Sequence, residues 1–139
     1  MSLVTDSVDY KALAQFRHEL RKFLAFSEKA AVAAGLTGQQ HQALLAIRGL
    51  SQEGEMSVGE LAEILLLRHH STVELVDRLG KLDLIERVAD RADARRVLVH
   101  LTPAGKKKLR ALSASHIKEI AAIGPAVGLL RYVGLGKTS

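Results

Sequence analysis

Cysteine is absent from this chain of 139 residues. Its absence excludes disulfides, thiolate nucleophiles, cysteine-ligated zinc and thiol-based redox sensing. Long apolar runs are missing as well: none approaches the ~18 residues needed to cross a bilayer. The opening MSLVTDSVDY lacks the basic-then-apolar order of a secretory signal. No glycine-rich phosphate loop, nucleophile elbow or metal-protease motif occurs, and the serines and histidines show no telling spacing, so an enzyme is not expected. No internal repeat or low-complexity linker interrupts the chain. The expectation from these absences is a cytoplasmic protein with no membrane partner and no cofactor.

What remains is an ordinary globular balance, with 47% hydrophobic and 25% charged residues, which argues against wholesale disorder. The length fits one domain with a core, or a core plus an oligomerisation layer. Lys and Arg outnumber Asp and Glu by 20 to 15, an excess compatible with a polyanionic partner.

Helical periodicity runs from about Val8 to Ala34, where Leu13, Phe16, Leu20, Phe23 and Ser27 recur at three- and four-residue steps, and Gly35 is a stop signal. Thr37 and Gln40 read as a capping box opening a helix with Leu44, Ile47 and Leu50 on one side, and Gly54 closes the region. Ser57 and Glu60 form a second capping box, with Met56 and Leu61 as its hydrophobic staple. A short helix to about Leu66 is followed by another from about His69 to Leu82, whose apolar face includes Val73, Val76 and Leu79. Two short helices joined by a tight turn are a helix-turn-helix candidate. Leu84–Val88 and Arg96–Leu101 read as strands, the second alternating Val97, Val99 and Leu101 with Arg96, Leu98 and His100. Thr102-Pro103 starts a helix carrying Leu109, Leu112, His116 and Ile120. Gly124-Pro125 is expected to break it, leaving a short segment over 126–133 and a frayed GLGKTS tail.

The stretch joining the two strands is the most unusual. RVADRADARRVLVHLTPAG holds Arg87, Arg91, Arg95 and Arg96 with Asp90 and Asp93 at the tip of a hairpin. Such a loop can be self-paired and solvated. Beside a helix-turn-helix it can instead reach a minor groove while the second helix occupies the major groove, and arginine suits that narrow, negative groove. Asp93, two residues from Arg95, can orient the guanidinium with a bidentate pair.

From about Thr37 to Gly105 the sequence resembles the MarR-type winged-helix regulators. MSVGELAEILLLRHHSTVELVDRLGKLDLIERV resembles their two DNA-binding helices, and Asp90, Asp93, Arg95, Leu101, Thr102 and Gly105 match their wing signature. The family often has glycine where this chain has Leu66 and Asp83, and a Ser-Pro-Ser-like cap where it has Arg68-His69-His70. Cations at a helix start oppose the helix dipole, which makes sense if a phosphate supplies the negative charge.

The resemblance implies a mainly α fold with a small β-hairpin wing, divided into an N-terminal dimerisation helix (1–36), a winged helix-turn-helix (37–102) and C-terminal dimerisation helices and tail (103–139). It implies a homodimer that binds double-stranded DNA at a pseudo-palindromic operator, a repressor released by a small-molecule ligand. Arg95 becomes the groove-inserting arginine and Asp93 its partner; Arg91 and Arg96 are assigned to phosphates. Arg68, His69, His70, Ser71, Val73, Glu74 and Arg78 supply the polar and outward positions of the recognition helix. Glu74 can accept from cytosine N4 or pair with Arg78 four residues on, and Val73 can meet a thymine methyl or the core. Phe16, His41 and His116 are the candidate ligand contacts. Some relatives hold zinc with histidines in that region, but His18, His41 and His116 each stand alone on a helix, and no metal is expected. A winged helix serving only protein contacts would dimerise yet bind duplexes weakly and without preference.

Overall fold

The computed structural model describes residues 8–133, with side chains through residue 122; the GLGKTS tail lies outside them. The elements run α1 (Tyr10–Ala33), α2 (Gly38–Leu50), β1 (Met56–Ser57), α3 (Val58–Leu65), α4 (His69–Lys81), β2 (Ile85–Ala89), β3 (Val97–Leu101) and α5 (Pro103–Val133). This is the mainly helical fold with a β-wing that the sequence predicts. The wing, however, is a three-stranded antiparallel sheet in the order β1-β3-β2, with Met56 opposite Val99 and Ser57 opposite Leu98. A strand of two residues is too short to show alternation, so periodicity does not reveal β1.

Two compact units divide the chain. One takes in the described residues up to Ala30 and from Ala114 onward; the other is Ala31–Ser113. In the second unit Leu44, Ile47, Met56, Leu61, Val76, Leu79 and Val99 are buried and form the core. Thr37 caps α2 as expected, its side chain accepting from the Gln40 N–H at 3.1 Å while Gln40 Oε1 accepts from the Thr37 N–H at 3.0 Å. Leu50 does not join Leu44 and Ile47: it is exposed. Each three-residue step falls about 60° short of a full turn, so two steps leave Leu50 about 120° from Leu44. Gln40, His41 and Ala43 fill that face instead.

Three helix ends close in the same way. The pairs Gly35 N–H to Val32 O and Leu36 N–H to Ala31 O, Leu66 to Glu63 and Leu67 to Ala62, and Asp83 to Gly80 and Leu84 to Leu79 are successive 5→2 and 6→1 bonds. These are Schellman closures, each needing one residue in the left-handed region. Gly35 (φ 82°), Leu66 (φ 57°) and Asp83 (φ 59°) occupy it. Glycine takes that conformation freely and Asp tolerates it, whereas a leucine pays about 1–2 kcal/mol. Leu66 is 91% exposed, so its side chain recovers nothing by burial. Replacing Leu66 by glycine is therefore expected to stabilise the protein by about 0.5–1 kcal/mol, the strain relieved less the entropy glycine loses on folding. Urea unfolding midpoints of the two proteins measure the difference.

Thr102 and Pro103 start α5 as the sequence predicts. Thr102 Oγ1 accepts from the Gly105 N–H at 3.0 Å and donates to the Asp83 carbonyl at 2.6 Å, while the Thr102 N–H donates to the Leu84 carbonyl at 3.1 Å. The expected break at Gly124-Pro125 does not occur, since α5 is continuous from Pro103 to Val133. A proline removes one rung and crowds the carbonyl four residues back, which kinks a helix without having to end it.

In the unit formed by the two chain ends, Ala12, Ser27 and His116 are buried and Phe16, Leu20, Phe23 and Phe26 half-buried. His116 Nε2 lies 2.9 Å from Ser27 Oγ, and Phe23 and Phe26 meet the imidazole edge-on at 5.9 and 5.2 Å between centroids. The stripe on α1 thus runs through Ala12 rather than Leu13, which is exposed, as is Ile120 on α5. Ile120 keeps the helical phase of Leu109 and Leu112, but about half of it remains exposed.

Candidate nucleic-acid interface

The second helix of the helix-turn-helix, α4, begins without a side-chain cap. Arg68 holds the N-cap position with extended backbone and makes no capping bond, so the N–H groups of the first turn face outward with the positive end of the helix dipole. Arg68, His69, His70 and Ser71 are all exposed there. Thr72 turns inward, fully buried, its hydroxyl donating to the Arg68 carbonyl at 2.9 Å. Thr72, Leu75, Val76 and Leu79 form the buried face, and Val73 is half-buried at its margin. Glu74 and Arg78 are exposed, but they do not pair with each other: Glu74 Oε1 lies 3.0 Å from His70 Nε2, one turn towards the N-terminus. The carboxylate thereby faces the uncapped, cationic end of the helix, the favoured side for an anion.

The loop between β2 and β3 spans residues 90–96 and is organised by its two aspartates. Asp90 Oδ1 accepts from the Ala92 N–H at 2.9 Å, an Asx turn, and the backbones of Asp90 and Arg96 bond at 3.0 Å across the loop base. Asp93 Oδ1 accepts from both the Arg95 N–H (3.1 Å) and Arg95 Nε (3.3 Å). The pair expected from sequence is present, but it uses one carboxylate oxygen and Nε rather than a two-oxygen fork. The Arg95 side chain is 92% exposed. Asp93 thus contacts the backbone and the root of the guanidinium and leaves the rest of the Arg95 side chain exposed.

The four arginines divide into two kinds. Arg91 and Arg95 sit at the tip, and Arg91 makes no ion pair among the described residues. Arg87 and Arg96 sit at the base and are engaged: Arg87 pairs with Asp77 of α4, and Arg96 pairs with Glu60 of α3 and lies 3.8 Å from Asp90. Glu60 also accepts from the Ser57 hydroxyl at 2.9 Å, and Ser57 Oγ accepts from the Glu60 N–H at 3.1 Å. The second capping box is therefore half formed, because its carboxylate turns to the serine hydroxyl and to the wing. Glu60, Asp77 and Arg87 went unseen as site residues in the sequence. Capping fully accounts for a glutamate at that position, and a pair ten residues apart across a turn has no periodic signature.

A cleft of about 470 Å³ lies between these parts, lined by Ser57 to Gly59 at the start of α3, His69 and Val73 of α4, and Arg87, Arg95, Arg96 and Val97 of the wing. Its lining combines three arginines (Arg87, Arg95 and Arg96) with the apolar Val58, Val73 and Val97, and joins the start of α4 to the wing. Of the candidate ligand contacts, Phe16 is half-buried and His116 buried in the unit of the two chain ends, and His41 is buried in the unit that carries the wing. Among the described residues no three His, Asp or Glu side chains gather as metal ligands would, and no helix is long and apolar enough to cross a membrane.

The MarR family model matches residues 34–96. The uncharacterized HTH-type transcriptional regulator YsmB of Bacillus subtilis is 41% identical over 61 residues, which span 44% of this chain and 42% of that protein. The crystal structure of a probable transcriptional regulator from Pseudomonas aeruginosa is 30% identical and superposes with a TM-score of 0.62 over 78% of this chain and 80% of that one. The structure of the S. aureus MepR–DNA complex superposes with a TM-score of 0.68 at 20% identity, over 86% and 85% of the two chains, a likeness of fold. With both helices of the helix-turn-helix and the charged loop inside the matched segment, the chain belongs to the MarR family of winged helix-turn-helix transcriptional regulators.

Proposed function

We infer that the protein is a repressor that binds a pseudo-palindromic DNA operator as a homodimer and is released by a small-molecule ligand. The observation carrying this reading is the pairing of an uncapped helix start with a tip arginine held root-first by Asp93. The α4 start offers N–H groups, Arg68, His69, His70 and Ser71 to phosphates and major-groove edges. Arg95 offers an exposed guanidinium to the adjacent minor groove. Val73, Glu74 and Arg78 complete the helix face, with Glu74 reaching a cytosine only by leaving His70. Arg91 meets phosphate, and Arg96 would do so only by exchanging Glu60 for it.

Exposed Leu13 and Leu24 on α1 and Ile117 and Ile120 on α5 support the dimer, since a second copy would remove them from water. A two-fold dimer sets two recognition helices about 34–36 Å apart, one helical turn of DNA. MepR, of similar fold, has been solved with DNA. Phe16, His41 and His116 are the candidate contacts for the ligand.

The test is fluorescence anisotropy with labelled duplex from the region upstream of the protein's own gene, in excess random competitor. Binding that survives competitor and falls steeply between about 50 and 200 mM salt, as release of counterions from several phosphates requires, is the expected result. Affinity equal to that for random duplex, there and in a genome-wide selection of bound fragments, would overturn the reading.

A further inference from the structure

We propose that Glu60 and Asp77 are positioning residues for the wing, two carboxylate anchors that hold the hairpin at a fixed angle to the helix-turn-helix through Arg96 and Arg87. The inference rests on the DNA-binding reading for its functional consequence, but the anchoring itself does not. Glu60 lies in the first turn of α3 and Asp77 in the third turn of α4, so the hairpin is tied to both helices of the motif. The ties are also made from opposite strands, since Arg87 belongs to β2 and Arg96 immediately precedes β3. Two ties from two strands to two helices restrain rotation of the hairpin about its own long axis as well as its tilt. The pairing of β3 with β1 and the buried Val99 already hold the root of the hairpin, and the two ties add restraint nearer its loop.

Both anchors are themselves held. Glu60 is fixed by the Ser57 hydroxyl within a helix turn that Ser57 also caps, so its position is set before Arg96 arrives. Asp77 stands on the helix directly after buried Val76 and two residues before buried Leu79, on backbone that the core immobilises. The arginines pair strand positions with helix positions in a geometry that the guanidinium's planar donors fit better than a lysine would. Each tie is about half exposed, so its contribution to global stability is small. Its contribution to the direction in which Arg91 and Arg95 point is not, because a displacement of about 1 Å at a groove-inserting side chain is enough to lose its contact.

Electrostatics and positioning predict opposite signs, which makes the proposal decidable. Removing a carboxylate beside a polyanion takes away repulsion and releases an arginine to meet phosphate, so on charge alone Glu60→Gln should bind every duplex more tightly. If Glu60 positions the wing, Glu60→Gln binds random duplex as well as or better than wild type but loses about 5- to 10-fold on the operator. Arg96→Gln should lose operator preference by a similar factor while also binding random duplex more weakly, because it removes a cation. The double variant should lose scarcely more of the operator preference than either single one, since they share one interaction. Asp77→Asn and Arg87→Gln form the second such cycle.

Amide hydrogen exchange of the free protein tests the anchoring without DNA. Faster exchange over residues 90–96 in Glu60→Gln, with an unchanged urea midpoint, is expected. Unchanged loop exchange, or tighter operator binding by Glu60→Gln and Asp77→Asn, would overturn the proposal. If the wild type binds no duplex selectively while loop exchange still rises, the DNA reading falls and the anchors stand.

Discussion

Arg95→Ala is expected to weaken operator binding about 10- to 100-fold while leaving the urea unfolding midpoint unchanged. The side chain is 92% exposed and its single ion pair lies within the loop, so its removal costs the fold almost nothing. In the complex, an arginine in a narrow minor groove is worth roughly 1–3 kcal/mol. Arg95→Lys separates charge from shape. Lysine keeps the charge but cannot be held through Nε while presenting two further donors, because it has one ammonium on a flexible stem. It is expected to recover affinity for random duplex but little of the preference for the operator. Anisotropy titrations against operator and random duplex, run in parallel, measure both. Equal losses on the two duplexes would mean that Arg95 meets phosphate rather than a groove.

Gly105→Ala is expected to destabilise the protein by about 3 kcal/mol or more, or to prevent folding. A Cβ on Gly105 would lie 2.1 Å from the Leu84 carbonyl oxygen and 3.0 Å from its carbon. Both are backbone atoms of the segment entering β2, and that carbonyl already accepts from the Thr102 N–H. No rotamer change relieves such a clash, so the first turn of α5 must move away from the sheet. Overpacking in well-packed cores costs typically 1–3 kcal/mol where side chains can yield, and here the obstacle is backbone. Gly80→Ala, whose added Cβ meets nothing within 4 Å, is the control: in a helix interior the same change is stabilising or neutral. Thermal unfolding of the three proteins decides the matter, and a Gly105→Ala protein as stable as wild type would show that the close approach is not obligatory.

Much of this molecule is legible in its sequence, for reasons that can be named. Thr37 with Gln40 and Thr102 with Pro103 mark helix starts because capping chemistry is local and its residue types are few. The loop at 90–96 stands out because its charges interrupt two alternating strands. Signals fail where geometry is carried by something other than residue type. Leu66 completes a Schellman closure that a glycine would have advertised, and the backbone bonds form regardless. The strand at Met56–Ser57 is two residues long and borrows its order from β3. Pro125 reads as a stop, yet a helix can lose one rung and go on. Glu60 has two partners, and only the local one, Ser57, can be inferred from spacing; the other, Arg96, is 36 residues away in sequence. Around the cleft, the exposed His69 and Arg95 were picked out by the family resemblance, whereas Glu60 and Asp77, which pair with Arg96 and Arg87, carry no such mark.

The join at Gly105 also has a mechanical meaning. Thr102 bonds to Asp83 and Leu84, and Gly105 lies backbone to backbone against Leu84, with no side chain between them to flex. The first turn of α5 and the root of the wing therefore behave as a welded corner rather than a hinge. Within the unit that carries the wing, a torque applied to the opening turns of α5, residues 103–113, reaches the strand that carries Arg87 without slack.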